Sequence, residues 1–144
     1  MASNTQRKFR HPILRNDNGA YVTSATDILQ VWQYDSGTQD VQWNGKTVSV
    51  KRLLTFREVS QFINAVMDLC FDSEHEIAVP EAADFAIRLN VLMRYAGIMM
   101  DTEIEEQYRI VYESGLYEAV AEAVNAAQLD AIRQTVQTCV LHMM

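Results

Sequence analysis

Hydrophobic and polar positions along this chain fall into three regimes: a polar leading stretch, an alternating segment and a long helical tail. Between Ile28 and Leu53 the pattern is that of strands. Ile28-Leu29-Gln30-Val31-Trp32-Gln33-Tyr34 is rich in β-branched and aromatic residues, and Thr47-Val48-Ser49-Val50-Lys51 alternates cleanly. Asp35-Ser36-Gly37-Thr38 is a turn cluster. Asn44-Gly45, after Val41-Gln42-Trp43, is the dipeptide that two-residue hairpins prefer, because both residues tolerate positive φ. The pattern predicts a three-stranded antiparallel meander over residues 28–54, with Trp32 and Trp43 near each other across the first pair.

From Thr55 onward the period becomes three to four. Thr55 with Glu58 forms a capping-box pattern, and Phe56, Val59, Phe62, Ile63, Val66, Met67 and Cys70 mark one apolar face of a helix ending near Phe71. A second helix opens at Pro80 and runs to about Ala96, with Gly97 as its C-terminal cap. It is apolar nearly all round, as a central helix should be, and Arg88 on it calls for a carboxylate from a neighbouring helix. Thr102 with Glu105 repeats the cap pattern for a third helix that closes at Gly115. A fourth covers residues 116–124, and Asn125 with Gln128 starts a fifth, with Leu129, Ile132, Val136, Cys139 and Val140 as its inner stripe.

Together these elements predict an α+β fold, a small antiparallel β-meander followed by a five-helix bundle, in one domain over residues 28–144. Residues 1–27 read as a basic arm and turn. Asn16-Asp17-Asn18-Gly19 carries turn chemistry, and Ile13-Leu14 and Ala20-Tyr21-Val22 flank it as short pairing segments. At 144 residues the chain suits one domain. Arg7, Lys8 and Arg10 are followed by Pro12 rather than an apolar run, so no secretory signal is expected, and no apolar stretch is long enough to span a bilayer. Cys70 and Cys139 both sit in apolar helical stripes and read as free, buried thiols of a reducing compartment.

Charge changes the picture more than composition does. Residues 1–57 hold eight basic and four acidic side chains, a net of +4, while residues 58–144 hold four and fifteen, a net of −11. Such asymmetry marks an interaction surface rather than a fold. The arm carries Arg7, Lys8, Arg10 and Arg15 with no carboxylate among the first fifteen residues. Glu103, Glu106 and Glu113, with Glu105, Glu118 and Glu122, lie at helical spacing on the acidic part. The two are complementary. We therefore take Arg7, Lys8, Arg10, Arg15, Glu103, Glu106 and Glu113 as partner-binding residues, the arm of one subunit meeting the acidic helices of another. Phosphate contact by the arm is the less favoured alternative.

Motifs of catalysis are missing from the pattern. His11, His75 and His142 are far apart in sequence and none has a metal-binding partner at helical spacing; Asp72-Ser73-Glu74-His75-Glu76 lacks the length and ligand period of a calcium loop. There is no glycine-rich phosphate loop and no nucleophile elbow. The expectation is a non-enzyme with no metal, no cofactor and no small-molecule substrate.

Leu54-Thr55-Phe56, Val79-Pro80-Glu81, Asp84-Phe85-Ala86-Ile87-Arg88, Leu92-Met93-Arg94-Tyr95 and the stretch Tyr108 through Tyr112 carry one further indication. The block from Val48 to about Val140 that contains them, about two-thirds of the chain, resembles a type of small protein encoded by tailed phages and prophages. The resemblance implies a virion component of the head, neck or tail, located in the virion or in the bacterial host cytoplasm during assembly. Its implied partners are other virion proteins or copies of itself. The alternative within the same setting is a small acidic inhibitor of a host defence or nucleic-acid-processing enzyme.

Overall fold

The computed structural model describes residues 14–15, 21–33, 37–72, 77–78 and 81–143. The chain divides into two compact units, Met1–Asp35 and Ser36–Met144. In the first unit β1 (Leu14–Arg15) and β2 (Tyr21–Val22) pair antiparallel, Leu14 with Val22 and Arg15 with Tyr21, so the expected pairing around the Asn-Gly turn forms. α1 (Ala25–Val31) follows.

α1 corrects the expected meander. Ile28 to Tyr34 are expected as a first strand on their β-branched and aromatic content, yet Ile28 to Val31 are helical; Tyr34 lies outside the described residues. Ser24 explains the difference: its side chain accepts the Asp27 N–H at 3.1 Å, and Asp27 places negative charge in the first turn. Strand preference depends on having a sheet to join, and a local cap outweighs it here. The β-meander is therefore a two-stranded hairpin, and the described residues carry six α-helices rather than five, α1 being the addition.

In the second unit β3 (Thr38–Trp43) and β4 (Lys46–Lys51) form that hairpin, in register from Thr38 opposite Lys51 to Trp43 opposite Lys46. Asn44 and Gly45 make the turn at φ 50° and 79°, both in the left-handed region. Val41, Trp43, Val48 and Val50 share the inward face, and Trp43 Nε1–H donates to the Ser114 carbonyl at 2.9 Å. α2 (Phe56–Cys70) starts with the capping box foreseen: Glu58 N–H donates to the Thr55 hydroxyl at 3.2 Å and Thr55 N–H to the Glu58 carboxylate at 2.9 Å. β5 (Phe71–Asp72) and β6 (Ile77–Ala78) close a short antiparallel pair after it.

α3 (Glu81–Asn90) runs into a π-helical turn, Val91–Tyr95, capped by Gly97 at φ 65° with Ile98 N–H on the Leu92 carbonyl at 3.1 Å. α4 (Ile104–Glu113), α5 (Leu116–Ala123) and α6 (Ala126–Met143) complete the bundle. The Thr102 capping box does not form. Glu103 is the N-cap without a side-chain bond, and Gln107 Nε2 instead ties the preceding loop through the Met100 and Thr102 carbonyls at 3.1 and 2.7 Å. Asn125 does cap α6, accepting from Gln128 N–H at 2.9 Å.

α3 and its π-turn are the centre of the core: Ala86, Ile87, Leu89, Asn90, Val91, Leu92 and Tyr95 are all buried. α2 and α6 pack on α3 and on each other, α4 on α3 and α5, and α5 on the hairpin and the π-turn. Phe62, Val66 and Cys70 of α2 and Leu129, Ile132, Val136 and Val140 of α6 supply the facing stripes that the periodicity marked. Both cysteines are free, Cys70 buried and Cys139 half-buried.

Candidate docking surface

α1 presents the clearest exposed apolar surface among the described residues. Seven residues are two turns, too few to hold a helix in water without packing. Yet none of its residues is buried, and Ile28, Leu29 and Val31, with Trp32 at its C-cap, are about half exposed or more. An apolar row of this kind on a short helix is what a partner covers.

A second apolar surface lies on the other unit. Phe56, Val59 and Ile63 of α2 face Gln128, Ala131, Ile132 and Thr135 of α6 across a cavity of about 350 Å³. Phe56, in the first turn of α2, is 88% exposed. Its periodicity placed it in the inner stripe; it lies at the edge of that stripe, about 120° around the helix from the buried Phe62.

The acidic residues singled out in the sequence are on α4. Glu103 caps it and Glu106 lies in its first turn, both exposed, and neither meets a cation among the described residues. Asp101 and Glu105 beside them are equally exposed and unpaired among the described residues. Glu113, near the far end, is taken by Arg109, whose Nε and Nη2 reach it at 2.9 and 3.2 Å. The structure thus keeps Glu103 and Glu106 in one patch and neutralises Glu113 locally. Arg7, Lys8 and Arg10 lie outside the described residues; Arg15 is in β1, opposite Tyr21.

The carboxylates sought for Arg88 are Asp84, one turn earlier on the same helix, and Glu118 on α5. Arg88 Nε donates to Asp84 Oδ2 at 2.8 Å and Nη1 to Glu118 at 3.4 Å. The guanidinium also lies over the rings of Tyr112 and Tyr117, 5.1 and 4.5 Å from their centroids. Tyr112 donates its hydroxyl proton to Asp84 at 2.6 Å, Arg133 reaches Asp84 Oδ1 at 3.5 Å, and Arg133 also bonds the Tyr117 hydroxyl. One aspartate thereby joins α3, α4 and α6. Every charge in this network has a partner, and the network ties the helices together.

The network predicts a pH response. Burial pushes the Asp84 carboxyl up, but the Tyr112 hydrogen bond and the Arg88 charge outweigh it and hold the value below the ordinary one. Burial and the Asp84 bond push Tyr112 up to about 12. A lowered carboxylate stabilises the fold above its unfolded value and loses that contribution as pH falls through the folded value; a raised tyrosine loses its contribution as pH rises through about 12. Asp84→Asn should therefore cost up to about 1 kcal/mol at neutral pH, since the pairs are partly exposed. The difference from wild type should shrink as pH falls below about 4. Urea unfolding across that range measures it, and a constant difference would refute the assignment.

Among the described residues no group of three or more His, Cys, Asp or Glu side chains could hold a metal ion, and no helix is long and apolar enough to cross a membrane. Comparison with protein-family models, with curated proteins and with solved structures finds no match.

Proposed function

We propose that this chain is a non-enzymatic assembly protein that acts through protein–protein contacts. On the phage resemblance stated above, it is a capsid-decoration, neck or tail component of a tailed phage. It works in the virion, or in the bacterial host cytoplasm during assembly, with other virion proteins or copies of itself as partners. The observation that carries the reading is α1: a two-turn helix whose Ile28, Leu29 and Val31 are about half exposed or more. Burying such side chains is worth about 1.5–3 kcal/mol each, enough to drive docking of a segment that cannot hold its helix alone. The positive leading segment and the exposed Asp101, Glu103, Glu105 and Glu106, unpaired among the described residues, add charge complementarity that orients and speeds the encounter.

Sedimentation and light scattering of the full chain, alone and with phage particles, test this. The wild type should self-associate at micromolar concentration or be retained on particles. The triple variant Ile28→Ser, Leu29→Ser, Trp32→Ser should lose both, and removal of residues 1–12 should weaken association most at low salt. A wild type that stays monomeric and unretained overturns the proposal.

The acidic inhibitor is the second reading, favoured by the unpaired patch at the start of α4. It separates from the first in the same experiment. Glu103→Gln with Glu106→Gln would then abolish binding to a basic partner, while the α1 variant would leave that binding intact.

A further inference from the structure

A cavity of about 460 Å³ lies where the hairpin, the start of α2 and the π-turn meet. Thr38, Ser49 and Lys51 line it from the hairpin, Glu58 and Gln61 from α2, and Met93 to Gly97 from the π-turn. Thr38 and Lys51 are register partners, so their side chains leave the same face of the hairpin.

Its charges do not cancel. Lys51 Nζ sits 2.7 Å from Glu58 Oε2, and Glu58 is held below the ordinary carboxylate value by that lysine and by the Thr55 cap. This pair is complete. Arg94 is not paired. Its Nε–H donates to Asn90 Oδ1 at 3.0 Å, and Asn90, 5% exposed, is itself fixed by donating to the Ala86 carbonyl at 2.9 Å. The two terminal nitrogens of Arg94 meet neither a carboxylate nor another acceptor among the described residues. A buried amide thus orients a half-buried guanidinium whose outer fork is unused. This occurs in a unit that holds eight basic against sixteen acidic residues, a net of −8. The π-turn is what carries Arg94 and Gly97 to the cavity wall, and π-turns inside helices recur at binding sites.

We infer that this cavity binds a compact oxyanion of the phosphate type, with Arg94 as its anchor. An arginine fork takes two oxygens of such a group side by side. The hydroxyls of Thr38 and Ser49 and the Gln61 amide, from the hairpin and α2, are further donors lining the cavity. Donors on two walls suit a tetrahedral group with three free oxygens better than a planar carboxylate with two. The inference goes beyond the assembly reading and departs from the expectation that the chain takes no small molecule.

Amide and guanidinium NMR of the full chain, titrated with inorganic phosphate at constant ionic strength, tests it. The Ala96 and Gly97 amides and the Arg94 Nε–H should shift together and saturate with a millimolar dissociation constant. Arg94→Met should weaken this at least about tenfold, and Arg94→Lys, which keeps the charge without the fork, should fall between. Arg109→Met, on the outer face of α4, should change nothing. Absence of saturable shifts in the wild type overturns the inference, as does unweakened binding by an Arg94→Met chain whose remaining spectrum is native. Tighter saturation of the same signals by acetate overturns the phosphate assignment.

Discussion

Phe62→Ala should cost about 3–5 kcal/mol of stability, read as a lower urea midpoint at unchanged slope. Phe62 is fully buried on α2 and meets Tyr95 of the π-turn edge to face, ring centroids 6.4 Å apart at 71°. Truncation removes its transfer free energy and leaves a cavity in the core where α2 meets the π-turn. Phe56→Ala is the matched control. It is the same residue type on the same helix, six positions earlier, and is 88% exposed, so its loss should stay within about 0.5 kcal/mol. Equal costs at the two positions would mean that α2 faces the core differently.

That contrast shows what periodicity can and cannot say. Spacing of three and four put Phe56 and Phe62 on one stripe, but six positions leave them about 120° apart around the helix, so Phe62 faces the core while Phe56 lies at the stripe's edge beside Val59 and Ile63. The helical part was readable for a similar reason. Thr55, Asn125 and Gly97 are caps whose chemistry acts over three or four residues, so they work wherever they stand. Asn44-Gly45 is equally local. Thr102 is not the cap: α4 starts at Ile104 with Glu103 as its N-cap, and Gln107 ties the preceding loop through its carbonyls. The segment 28–34 failed because strand preference needs a neighbouring strand, whereas Ser24 and Asp27 complete a helix start by themselves. The π-turn had no visible signal: Val91-Leu92-Met93-Arg94-Tyr95 reads as ordinary helix, and its register follows from what Asn90 and Tyr95 bond to.

The surfaces divide the same way. Charge is countable in a sequence, so the acidic start of α4 was legible, although the neutralisation of Glu113 by Arg109 shows that a count overstates the field. A need for partners was legible on Arg88, but Glu118, thirty positions away, depends on how α3 and α5 pack. The cavity under Arg94 was invisible because its walls come from three elements. The apolar face of α1 was hidden by its misreading as a strand: as strand residues, Ile28 and Trp32 would have been core.

Gln128→Ala should be the most costly polar substitution in the chain, at about 3–5 kcal/mol. Gln128 looked like the third residue of a cap and no more. In the fold its Oε1 accepts the Leu54 N–H at 2.9 Å and the Tyr95 hydroxyl at 2.6 Å, while its Nε2 donates to the Leu54 carbonyl at 3.0 Å. One amide side chain on α6 therefore closes the backbone where the hairpin leads into α2, and anchors the π-turn. Leu54 and Tyr95 are both buried, so truncation leaves a donor, an acceptor and a hydroxyl without partners, each costing about 1–3 kcal/mol less whatever water recovers. Tyr95→Phe removes one of these bonds together with the group that needed it, and should cost only about 1 kcal/mol. Urea unfolding of the two variants and of their double mutant distinguishes a hub from a sum of contacts. Once Gln128 is gone, removing the Tyr95 hydroxyl should cost nothing further or restore some stability. Amide exchange adds a local reading, since Leu54 N–H should exchange faster in Gln128→Ala and keep its rate in Tyr95→Phe. If Gln128→Ala costs no more than Tyr95→Phe, the Leu54 bonds carry no weight, and the hairpin is held instead by Trp43 on Ser114 and by the Asn125 N–H on the Arg52 carbonyl at 2.8 Å.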